Sequence, residues 1–172
     1  IDSLYYIFAC LTTIKLLEKS PESQKRNYTK KIKTYMKFIK KKANINPDIF
    51  SSMYTLIKAE FYRVLNKGYK SERLYDEAIK IATKNNMINN IALISEIAGN
   101  HYKSQGNITV SKLYLIQAYT FYKRWGCKLK VKDLENKYPE IFKTNSSYNK
   151  NGYFSINDIV NKLRSEERRV GK

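Results

Sequence analysis

Little in this sequence offers the raw material of a catalytic or metal site. Its single histidine is His101, and its two cysteines, Cys10 and Cys127, lie far apart. Such a pair makes neither a zinc cluster nor a disulfide scaffold, and a reducing compartment is the plain reading. Three prolines, Pro21, Pro47 and Pro139, leave long stretches free to stay helical. No Gly-x-Gly-x-x-Gly or Gly-x-x-x-x-Gly-Lys run exists, so there is no phosphate cradle. No apolar stretch reaches the length a membrane span needs, and no secretory leader pattern is present.

Charge, by contrast, is abundant and of one sign. Thirty-three basic against 15 acidic residues give a net charge of +18. That excess favours solubility and invites contact with nucleic acid or anionic membranes. The densest run is Lys30 to Lys42. Lysine, asparagine, isoleucine and tyrosine are all abundant together, as an AT-rich coding sequence would produce, so charge alone is a weak sign of function.

Apolar residues recur at helical spacing along most of the chain. Leu4, Ile7, Phe8, Leu11, Ile14 and Leu17 mark a first helix, ended by Ser20-Pro21-Glu22-Ser23. A second spans about 24–43, with Tyr28, Ile32, Tyr35, Phe38 and Ile39 on one face and lysine on the other. Asn44 to Pro47 reads as a turn, with Asp48 capping a third helix over about 48–65. Further helices are expected at about 70–84, 88–104, 108–125 and 127–137, the last with Leu129, Val131 and Leu134 inward and stopped by Pro139.

Two pairs of helices echo each other at an offset of 40 residues. Ala59 matches Gly99, Tyr62 matches Tyr102, Asn66 matches Gly106, Ser71 matches Ser111 and Ala78 matches Ala118. The small residues suit close helix approach, and Tyr62 and Tyr102 suit the space between successive pairs. This order of small, aromatic and turn residues resembles the tetratricopeptide helix pair. It departs from that pattern in its serines at 71 and 111 and in its period, which reads as the result of a longer loop between the fourth and fifth helices. The fold class expected is all-α, a tetratricopeptide-like antiparallel array of helical hairpins, an α-solenoid, with residues 55–82 superposing on 95–122.

Three segments carry a wider resemblance: Leu74 to Ile79, Glu96 to Tyr102, and the run from Tyr122 through Trp125-Gly126 to Tyr138-Pro139. Together they resemble the helical-repeat region of large multidomain signalling proteins. Those carry a serine/threonine-kinase-like domain, an AAA-type predicted ATPase, a tetratricopeptide-like region, a GAF domain and often a sensor histidine kinase. The resemblance covers about residues 24–164. It implies a connector between an ATPase module and a sensor–kinase module, in the cytoplasm, with flanking domains or other proteins as partners. None of that family's catalytic residues falls within this chain. Phe154 to Leu163 resembles the short helix leading into the GAF domain.

The organisation expected is a helical-repeat domain over 1–142, a linker over 143–153 rich in Asn and Ser, the start of another helix over 154–164 and a non-native tail over 165–172. A start at Ile1 rather than Met reads as a piece of a longer polypeptide. No catalytic, cofactor-binding or metal site is expected, and no cofactor or small-molecule ligand. His101 reads as structural, Cys10 as core and Cys127 as a thiol without a partner base. Trp125 reads as packing over a neighbouring helix. Glu60, Asp76 and Glu77 read as helix-surface acids paired with nearby bases. The alternative function is a free-standing basic repeat protein that binds nucleic acid through lysines interleaved with aromatics.

Overall fold

A computed structural model describes residues 3–142, so the expected linker, following helix and tail lie outside the described residues. The described residues are helical throughout, without a strand, and form α1 (Ser3–Lys19), α2 (Glu22–Ile45), α3 (Pro47–Val64), α4 (Gly68–Lys84), α5 (Ile88–Ser104), α6 (Ile108–Trp125), α7 (Lys128–Lys137) and α8 (Pro139–Phe142). The all-α expectation is met. The chain divides into two compact units, residues 1–90 and 91–172.

In the first unit α3 is the central element, packed against α1, α2 and α4. It buries Met53, Leu56, Ile57, Ala59 and Phe61, which leaves it with almost no free face. A helix apolar on most sides belongs inside a bundle. On α1 the buried stripe is Ile7, Cys10, Ile14 and Leu17. Leu4 and Phe8, expected on that face, are exposed. Phe8 is turned about 100° from Ile7, and Leu4 lies at the helix start. Aromatic contacts help join α1 to α2, with Tyr6 and Phe38 rings 4.0 Å apart and Tyr35 edge-on to Tyr6.

Pro47 opens α3 rather than closing a turn, and Asp48 sits inside the first helical turn without capping it. Proline suits that first position, where its missing N–H costs nothing and its fixed φ is already helical. Pro139 likewise opens α8 instead of merely stopping α7.

A 20-residue rhythm runs through α3 to α6. Asn66, Asn86, Gly106 and Gly126 all have left-handed φ, at 56°, 52°, 77° and 80°. At each, the following N–H reaches five residues back: Lys67 to the Tyr62 carbonyl, Met87 to Ala82, Asn107 to Tyr102 and Cys127 to Tyr122, all at 2.9–3.0 Å. This is the Schellman closure, which satisfies the last helical carbonyls. The next helices then begin at residues 68, 88, 108 and 128. Three-residue turns join α3 to α4, α4 to α5 and α5 to α6 alike. The 40-residue offset therefore arises from helices of 17 or 18 residues, not from a longer loop between α4 and α5.

The second unit is built on Leu115, Ala118, Tyr122, Leu134, Tyr138 and Ile141, with Ala92 of α5. Gly99 permits the closest approach there: a Cβ would lie 2.8 Å from Leu115 Cγ and 3.3 Å from the Leu115 backbone nitrogen. The Ser111 hydroxyl crosses the same contact to donate to the Gly99 carbonyl at 2.8 Å. Ser71, its counterpart at minus 40, instead donates to Gly68 within its own first turn. On α7 the inward stripe is Val131, Leu134 and then Tyr138, so Leu129, two residues before Val131, points out and is 83% exposed.

Candidate interaction site

The polar chemistry of this protein falls into three places. The first is a buried network in the first unit. Glu60, expected at the surface, is only 2% exposed. Arg63 grips it with Nε at 3.0 Å and Nη2 at 3.1 Å, and holds Glu18 of α1 with Nη1 at 2.6 Å and Nη2 at 3.1 Å. The Tyr75 hydroxyl of α4 donates to the same Glu60 carboxylate. Lys15 adds contacts of 3.6 Å to both acids. Two acids and two bases balance here, and the groups tie α1, α3 and α4 together. The Arg63 hydrogen bond draws the Glu18 pKa down. Burial works against the Arg63 charge, but bonds to Glu18 and Glu60 outweigh it and raise its pKa. Burial first, then the negative Glu60, pushes the Tyr75 hydroxyl strongly up. Sequence spacing alone gave no sign of this, since Glu60 and Arg63 read as an ordinary i, i+3 surface pair.

The second place, in the second unit, is centred on Glu96 of α5. It accepts from the Tyr122 hydroxyl and from Lys130 Nζ, both at 2.7 Å. Lys130 also reaches Asp133 at 3.4 Å, and the Tyr138 hydroxyl donates to Asn100. Lys103 lies 4.4 Å above the Tyr138 ring. The segments Glu96–Tyr102 and Tyr122–Pro139, singled out in the sequence, thus meet in space. Both buried carboxylates have partners, so neither network presents a free general acid or base.

The third place is open. A cleft of about 310 Å³ lies between α2 and α3. Met36, Tyr54, Phe61 and Tyr62 line it, together with Lys33, Lys37, Lys40 and Lys58. Lys33, Lys37 and Lys40 are exposed and recur at i, i+4 and i+7, which puts them on one side of α2. No acidic side chain lines the cleft. Lys58 Nζ lies 5.8 Å from the Tyr54 ring centre, and Lys67 and Lys70 each lie 5.9 Å from that of Tyr62. Burial, then the nearby Tyr62 hydroxyl, raises the Tyr54 pKa.

The residues weighed in the sequence do not converge. His101 is buried, with its ring 5.4 Å from that of Tyr102. Cys10 is buried in the first unit, and burial pushes its thiol up to about 12. Cys127 is half-buried at the α6–α7 turn. Trp125 is 53% exposed rather than packed in, because Tyr122 takes the inward position one turn earlier and Trp125 stacks on it at 6.3 Å. Tyr62, expected to fill space between helix pairs, is half-buried at the cleft, and Tyr102 stacks on Tyr114 of the adjacent helix at 5.4 Å. Among the described residues, no group of three or more His, Cys, Asp and Glu side chains is placed to hold a metal ion, and no helix is long and apolar enough to cross a membrane.

These features define an all-helical protein whose buried polar groups serve its own packing and whose open polar surface is basic. No protein-family model, curated protein or solved structure matches the chain.

Proposed function

We propose that this chain is a non-catalytic, tetratricopeptide-like helical scaffold in the cytoplasm, which couples ATPase and sensor–kinase domains of a multidomain signal-transduction protein. The observation that carries the reading is the 20-residue rhythm of α3 to α6, with four equivalent left-handed helix ends and four evenly spaced helix starts. Arrays of equal helices present extended faces to other proteins and fix the relative placement of what they join. Two further features support it. The buried acids are occupied with Arg63, Lys130 and tyrosine hydroxyls. Two of the repeat-pair tyrosines, Tyr75 and Tyr122, are buried in packing.

The test is a titration of the chain against the domains encoded beside it in the same reading frame, run next to a generic RNA duplex at about 0.15 M salt, where exposed charges are screened beyond about 8 Å. Saturable contact with a neighbouring domain, outlasting added salt, is expected. Tight, salt-resistant RNA binding without any domain contact would replace this reading with the nucleic-acid one.

A further inference from the structure

The α2–α3 cleft differs in kind from the two buried networks. In those, each carboxylate is matched by a cation within 4 Å. Here four lysines share one small opening, and no acid answers them from its walls. Like charges gathered beside a low-dielectric wall raise the local potential and draw in an anion. Beneath the lysines the surface is apolar and aromatic, with Met36 and Phe61 from facing helices.

We propose that this cleft docks an acidic protein segment, which lays one large apolar side chain against Met36 and Phe61 and sets its carboxylates against Lys33, Lys37, Lys40 and Lys58. The inference rests on the reading of this chain as a protein-contact scaffold and names the chemistry of one partner. A volume of about 310 Å³ suits a side-chain anchor, being at the low end of the roughly 300–1,000 Å³ of small-ligand pockets. Lys33, Lys37 and Lys40 extend along about 10 Å of helix, a span that several carboxylates of one short segment cover.

Two features turn the choice from nucleic acid towards carboxylate. The faces of Tyr54 and Tyr62 already carry ammonium groups, so a base would have to displace them before stacking. The apolar floor matches an anchor side chain, as central pockets of protein interfaces do.

The experiment uses the whole chain and follows fluorescence anisotropy of a short, labelled, glutamate-rich peptide bearing one phenylalanine and one leucine. Three comparison probes are the same peptide with both anchors changed to alanine, an oligouridine of similar length, and vesicles of phosphatidylserine and phosphatidylcholine. Lys37→Glu with Lys40→Glu is set against Lys80→Glu with Lys84→Glu, which makes the same change of charge on the exposed face of α4. All four lysines are exposed, and helicity of each variant is checked by circular dichroism. The cleft variant is expected to weaken the anchored peptide about tenfold or more, and the α4 variant less than about twofold. The alanine peptide is expected to bind about tenfold more weakly than the anchored one.

No peptide binding, equal loss in both variants, or equal binding of the alanine peptide would overturn the proposal. So would oligouridine or vesicles that bind more tightly than the peptide and depend on Lys37 and Lys40. If a neighbouring domain binds the chain but ignores Lys37→Glu with Lys40→Glu, the cleft proposal fails and the scaffold reading stands. If the peptide binds as expected and no neighbouring domain does, the coupling role fails instead.

Discussion

The Tyr75 hydroxyl, on α4, donates to the carboxylate of Glu60 on α3, and both residues are buried. The same carboxylate is gripped by Arg63, which also holds Glu18 on α1. Removing either side leaves the other buried with one hydrogen bond fewer. Tyr75→Phe is expected to cost about 1.5–3 kcal/mol, the usual worth of a hydrogen bond to a charged group. Glu60→Ala should cost more, since Tyr75 and Arg63 both lose a partner. Urea unfolding of the two single variants and the double variant gives the coupling, expected at about 0.5–3 kcal/mol. A coupling near zero would mean the two groups act independently.

Alkaline pH should unfold this protein more readily than its composition suggests. Tyr119 is pushed up to about 12, by burial and its 2.7 Å bond to Glu135, and Cys10 is pushed up to about 12 by burial. Tyr75 and Tyr122 are raised as well. All hold their protons more tightly in the folded chain. Their contribution is complete below the unfolded values, 9.0 for the thiol and 10.0 for the phenols, and is lost as pH climbs from there towards about 12. Thermal melts between pH 8 and pH 11 should show Tm falling steeply above about pH 10. Tyr75→Phe should make that fall shallower.

Gly99 and Gly68 should respond in opposite directions. A Cβ at Gly99 meets Leu115, whereas one at Gly68 meets nothing within 4 Å. Gly99→Leu is expected to destabilise by about 1–3 kcal/mol through overpacking. Gly99→Ala should cost less, because alanine regains up to about 1 kcal/mol of helix propensity. Gly68→Ala should be neutral or stabilising by about 0.4–1 kcal/mol. Denaturant midpoints of the three variants decide the matter, and a stabilised Gly99→Leu would contradict the close approach of α5 and α6.

The single tryptophan reports on the end of α6. Trp125 is half-exposed and stacked on Tyr122. Its emission should be that of a solvated indole and should be quenched readily by acrylamide. Trp125→Ala should change stability by no more than about 0.5 kcal/mol, as at an ordinary surface position. Strong protection from acrylamide would place the ring in a contact the structure does not contain.

Periodicity and punctuation were enough to find the helices. Seven of the eight follow from apolar spacing and turn residues, and their ends fall within a few residues of expectation, because amphipathic pattern and chain-breaking residues act locally. The 40-residue echo was legible too, although its cause was misread. A left-handed asparagine at 66 or 86 looks like any polar loop residue in the sequence, so the 20-residue unit emerges only from backbone geometry.

What the sequence by itself determined was the all-helical class, the positive charge and the small residues at the closest contacts, since each is a property of single residues or of spacing along one helix. Tertiary structure alone decided the rest. Which acid is buried depends on what lies across from it: Glu60 faces Arg63 and Tyr75, while Asp76 and Glu77 remain exposed. Which aromatic is exposed depends on the rotation of its helix, which turns Tyr122 in and leaves Trp125 out. The α2–α3 cleft unites lysines from two helices whose residues stand more than a dozen positions apart, a proximity that no pattern along the chain encodes.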